Sequence, residues 1–66
     1  MEIHVNGEPR KVDADTTVWQ LIVDMGLADK RVAVEVNQAI VPRSEHTAYQ
    51  IRAGDRIEIV TAIGGG

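Results

Sequence analysis

Apolar and polar positions alternate from the start of the chain. Ile3 and Val5 flank His4 and follow Glu2, the two-residue period of a strand with one buried face. Asn6-Gly7 comes next, the preferred pair for a two-residue hairpin turn, because both positions take positive φ. A returning strand follows, and Pro9 within it has no N–H to give to a ladder. That puts this strand at a sheet edge or starts it just after Pro9. The period then changes. Val18, Leu21, Ile22 and Met25 fall at i, i+3, i+4 and i+7, one face of a helix. Asp15, Thr16 or Thr17 caps its first amides, and Gly26 suits the left-handed position that ends it. Trp19 sits on the shoulder of the apolar stripe and reads as partly buried packing.

Alternation returns in the second half. Val32, Val34 and Val36 share a face opposite Ala33 and Glu35, Asn37-Gln38 turns the chain, and Pro42 ends the short segment after it. The stretch RSEHTAYQIRAGD reads mostly as loop, with Ala53-Gly54-Asp55 as a turn. In RIEIVTA, Ile57 and Ile59 point one way while Glu58, Val60 and Ala62 point the other. The predicted order is β-β-α-β-(short β)-β. The fold class is α+β: a mixed four- to five-stranded sheet packed on one helix, since neither layer buries its apolar side alone.

Composition narrows the function classes. A chain of 66 residues holds one domain, read as residues 1–63 followed by a flexible glycine tail at 64–66. Cysteine is absent, which removes disulfides, thiolate metal sites and a cysteine nucleophile, and fits a cytoplasmic setting. The formal charge is −3 with interspersed signs and no basic run, so no nucleic-acid partner is expected. Apolar runs such as LIV and AIV are too short to span a membrane, and the acidic opening MEIHV reads as a strand, not a targeting peptide. His4 and His46 lack ligand-spaced companions, so no metal site is expected. Asp13, Asp15, Asp24 and Asp29 read as cap and surface charges, and Arg43 as either a partner contact or a solvated side chain. Val60 and Ala62, apolar on the outward face of the last strand, are a candidate docking patch, against ordinary packing.

The last strand runs directly into IGGG. Four residues from Ile63 reach about 13 Å, enough to thread a narrow channel. Glycine adopts almost any φ and ψ there. A terminal carboxylate, with an unperturbed pKa of roughly 3.3–3.7, is an anion at neutral pH. Against bound ATP and magnesium it can attack phosphorus, giving an acyl adenylate ready for acyl transfer. A disordered linker or cloning remnant has the same composition. Here the glycines carry no tag after them and follow a patterned strand with no polar spacer.

MEIHVNG, TTVWQLIVDMGL, VAVEVNQAIVPRSEH and IRAGDRIEIVTAIGGG together cover essentially the whole chain, and in combination they resemble the ThiS-type sulfur carrier family of thiamine biosynthesis, in the ubiquitin-like β-grasp superfamily. The resemblance implies that a ThiF-like, E1-type adenylating enzyme activates the terminal glycine with ATP and magnesium. A cysteine-desulfurase relay then supplies sulfur, displacing AMP and leaving a glycyl thiocarboxylate. That group gives its sulfur to the thiazole ring built by thiazole synthase. The modified residue would be Gly66, with Gly64 and Gly65 as the partner-binding tail. The family usually ends in two glycines, and the third here lengthens the tail without moving the chemistry. On this resemblance the chain is a sulfur-carrying co-substrate, not an enzyme. It binds no cofactor of its own and is a monomer when free. Three other readings share the pattern: a sulfur carrier for molybdopterin synthesis, a ubiquitin-like protein modifier, and a β-grasp interaction module that works without its glycines.

Overall fold

Residues 1–61 are described by a computed structural model. Five strands, β1 (Glu2–Val5), β2 (Glu8–Lys11), β3 (Val32–Val36), β4 (Ala39–Val41) and β5 (Arg56–Thr61), form one sheet in the order β2-β1-β5-β3-β4. β1 and β5 are parallel, and the other neighbours are antiparallel. The sheet is therefore mixed, as expected, and β2 with its Pro9 is an edge. One helix, α1 (Val18–Asp24), covers one face.

Each hairpin closes through two residues. Val5 pairs with Glu8 across Asn6-Gly7, and Val36 with Ala39 across Asn37-Gln38. All four turn residues have positive φ: 53° and 85° in the first turn, 52° and 72° in the second. This geometry matches the twist of the flanking strands. The second turn reaches it without glycine, at Gln38 as well as Asn37, a conformation that costs an ordinary side chain roughly 1–2 kcal/mol.

Thr17 is the residue that caps α1, its Oγ1 accepting from Gln20 N at 3.1 Å. The two preceding amides find carbonyls in the loop that follows β4: Val18 N donates to Tyr49 O at 3.0 Å and Trp19 N to His46 O at 2.9 Å. Helix amides that would otherwise lack partners thus tie that loop to the helix. At the other end Gly26, with φ 74°, lets its own N–H reach Val23 O and Leu27 N–H reach Ile22 O, the paired bonds of a left-handed helix stop.

The core joins Ile3 and Val5, Val18, Leu21 and Ile22, Val34 and Val36, Val41, and Ile57 and Ile59. Two differences from the sequence reading stand out. The stretch RSEHTAYQIRAGD carries a 3₁₀ turn at Arg43–Glu45 and buries both His46 and Ile51. Their isolated spacing has no period to betray it. Trp19, read as boundary packing, is 40% exposed. It stands beside the stripe made by Val18, Leu21 and Ile22, which leaves it at the helix margin.

Leu21 is fully buried at the middle of the only α-helix among the described residues. Leu21→Ala should cost about 2–5 kcal/mol, a large share of what a domain this small has. Urea denaturation should show the midpoint falling steeply or the fold lost.

Candidate functional site

β5 is the centre of the sheet, with β1 on one side and β3 on the other. Its partnership with β1 is short, pairing His4 with Arg56 and Val5 with Ile57. β1 then turns away at Asn6, and the Asn6 side chain takes over. Its Oδ1 accepts from Ile59 N at 2.9 Å, and its Nδ2 donates to Ile59 O at 3.2 Å. One amide side chain thus satisfies both backbone groups of a strand residue, as a neighbouring strand would. Asn37 does comparable work at the other end of β5. Its Oδ1 accepts from Arg56 N at 2.9 Å, and its Nδ2 donates to Asp55 Oδ1 at 3.0 Å. The other carboxylate oxygen, Asp55 Oδ2, accepts from Arg52 N at 2.8 Å and closes the turn. Both asparagines had a local signature as turn formers. Nothing in their spacing to β5 announced the second task.

On the other side β3 follows β5 to its end, where Val32 pairs with Thr61. The strand therefore delivers the chain at Thr61 from a fixed root. Gly64, Gly65 and Gly66, the candidate tail and modified residue, lie outside the described residues, as does Ala62 of the candidate patch.

Val60 is described, and it is 63% exposed on the sheet face opposite the helix. Ala33 stands across from it on β3. Ile40, 76% exposed, belongs to the same face, since Glu35 pairs with both Ile40 and Glu58. Ile40 is an apolar member of this face that the sequence reading passed over, because a three-residue strand shows too little alternation to orient. Glu35 and Glu58 lie directly opposite each other, and like charges at that separation repel. The face therefore offers apolar side chains around a carboxylate pair.

The remaining candidates do not converge. His46 is buried with Nε2 3.1 Å from Val41 O, while His4 lies on β1. Among the described residues no three His, Asp or Glu side chains come together as a metal site, and no helix is long and apolar enough to cross a membrane. Asp13 and Asp15 are exposed on the approach to α1, Asp24 accepts from Gln20 Nε2 at 3.1 Å, and Asp29 and Arg43 are exposed.

The ThiS family model matches residues 3–66. The sulfur carrier protein ThiS of Escherichia coli is 30% identical over 66 residues, covering 100% of each chain. The crystal structure of thiamine biosynthesis protein ThiS from Geobacter metallireducens superposes with a TM-score of 0.83 at 32% identity, covering 100% of both chains. A thiazole synthase from Magnetococcus marinus is 46% identical over 66 residues, and this chain spans only 20% of that protein's length.

The clamp on β5 is directly testable. Asn6→Ala strips both partners from Ile59 and should lower stability by about 2 kcal/mol, with faster hydrogen exchange at the Ile59 amide. Asn6→Gly keeps the positive φ and removes only the clamp. If both variants match the native protein in stability and exchange, Asn6 serves the turn alone.

Proposed function

The chain belongs to the ThiS family, and from that membership we propose that it is a sulfur carrier of thiamine biosynthesis whose Gly66 carboxylate is the carrying group. The observation that carries the reading is a ThiS-family match running from residue 3 to residue 66, over a β-grasp domain whose central strand leads toward the glycines.

The chemistry proceeds in two displacements. The Gly66 carboxylate oxygen attacks the α-phosphorus of ATP on a ThiF-like activating enzyme, and pyrophosphate leaves. A persulfide from a cysteine-desulfurase relay then attacks the acyl carbon, and AMP leaves. Reductive cleavage of the resulting acyl disulfide by a thiol frees the thiocarboxylate. Magnesium and the cationic groups that stabilise the transferring phosphoryl charge belong to the activating enzyme. The carrier contributes reach and an unhindered acyl carbon, and catalyses nothing itself. Thiazole synthase is the proposed acceptor enzyme. The similarity of this chain to one fifth of a thiazole synthase supports that pairing, since one polypeptide there includes a region like this carrier.

Tethering explains why sulfur is held on a protein. A thiocarboxylate on a short chain arrives oriented, and its effective concentration at the acceptor is high. The outward face of β5 supplies the specificity that a run of glycines lacks. Val60 and Ile40 offer apolar contact, and a cation on the enzyme relieves the repulsion between Glu35 and Glu58.

Intact-protein mass spectrometry tests the chemistry. Incubation with activating enzyme, ATP, magnesium and a sulfur donor should add the mass difference of sulfur replacing oxygen, localised to the C-terminal peptide. Unmodified carboxylate throughout sinks the carrier reading and leaves the interaction module.

Val60→Asp tests the docking face. It puts a third carboxylate beside Glu35 and Glu58 without touching the core. Affinity for the activating enzyme should fall by about tenfold, with melting temperature little changed. Unaltered affinity of the folded variant excludes Val60 from the interface.

A further inference from the structure

A groove of about 460 Å³ opens on the helix side of the sheet, between the start of α1, the segment after it and the loop following β4. Trp19, Ile22 and Val32 give it an apolar lining, and Lys30, Arg31 and Arg43 stand around it. Three of the chain's seven basic residues therefore line this one groove, and none of its ten acidic residues does. In a protein of net charge −3 this is a local reversal of sign.

The walls are already fixed. Trp19 N is bonded to His46 O, Val18 N to Tyr49 O, and His46 Nε2 lies 3.1 Å from Val41 O. A partner entering here does not have to order the loop, which lowers the entropic cost of binding. The position is equally informative. Val32 lines the groove and pairs with Thr61, the final residue of β5. The groove thus opens at the end of the sheet from which the chain continues toward Gly66.

We propose that this groove is a second docking site, for an acidic segment of the activating enzyme that anchors a bulky apolar side chain against Trp19. The proposal rests on the sulfur-carrier reading for the partner's identity. A protein segment fits better than a small anion for two reasons. The cations come from two separate stretches, at residues 30–31 and 43, and the exposed indole gives an apolar surface that a phosphate does not use. The opposite face of the sheet is mixed, with exposed Arg56 beside Glu58 and Glu35, whereas the groove gathers cations with no acidic residue in its lining. A segment that complements the groove therefore fixes the orientation in which the domain meets the enzyme.

The test compares the native protein, an Arg31→Glu/Arg43→Glu double variant and Trp19→Ala for affinity to the purified activating enzyme at low and high salt. Both arginines are exposed, and thermal melting checks each fold. The double variant should bind about tenfold more weakly at low salt and lose most of its salt dependence. Trp19→Ala should weaken binding with the salt dependence retained. Native affinity and salt dependence in the folded double variant overturn the groove while leaving the carrier reading intact, because Gly66 would still gain sulfur. Quenching of Trp19 by inorganic phosphate alone, with no effect of either variant on enzyme binding, assigns the groove to a small anion and also overturns the proposal. If no activated Gly66 forms under any condition, the carrier reading falls and takes this partner with it.

Discussion

β5 is hydrogen-bonded on both sides, to β1 near the start of the sequence and to β3 from its middle. Every other strand joins the sheet through this one: β2 through β1, and β4 through β3. The two hairpins are local and easily formed, but each alone is marginal in water. Seating β5 between them closes a loop of some fifty residues, an entropy cost that local contacts cannot offset. Ile57 and Ile59, both buried under α1 with Ile3, Val5, Val34 and Val36, supply the apolar area that does. Asn6 and Asn37 then complete the seating: Asn6 satisfies both backbone groups of Ile59, and Asn37 accepts from Arg56 N while its Nδ2 donates to the Asp55 carboxylate.

Much of this was legible in the residues. The alternation of Ile3 with Val5, of Val32, Val34 and Val36, and of Ile57 with Ile59 oriented three strands correctly. The i, i+3, i+4 spacing of Val18, Leu21 and Ile22 did the same for α1. These signals are strong because burial on one face imposes a period. What escaped was non-periodic. Ile51 and His46 are single buried anchors in a loop, and Ile40 is a lone outward residue in a three-residue strand. Trp19 missed its expected burial because propensity for the interior says little at the edge of a helical stripe. The clamps of Asn6 and Asn37 are tertiary, and a turn motif predicts only its own φ values. At the candidate site, Val60 was found by alternation alone, while the basic groove was invisible because residues 30–32 and 43–47 converge only through the fold.

The centrality of β5 bears directly on function. A chain leaving from an edge strand would carry the mobility of that edge into whatever it presents. Here the strand is held by β3 through Thr61 and by Asn6 at Ile59. The end of β5 at Thr61 is therefore a fixed point, and a partner that binds the domain also fixes where the chain leaves it. Precision at the root matters for acyl transfer, where reacting atoms must approach to about 3–3.5 Å in line.

A carrier must also let go. Under the proposed cycle its partners in turn are an enzyme that activates, a donor that loads and an enzyme that consumes, and a surface that bound any of them too tightly would stall that cycle. An apolar face interrupted by the Glu35–Glu58 pair, and a groove edged by exposed cationic side chains, are both poor foundations for tight binding by area alone. On the proposed docking each gains its strength from charge complementarity, which speeds encounter and selects orientation more than it prolongs residence. The groove's cations have no acidic residue among them, while the outward face mixes Glu35 and Glu58 with Arg56. Under the carrier proposal, that difference between the two sides of the sheet is what lets the domain arrive the right way round, present its terminus and leave.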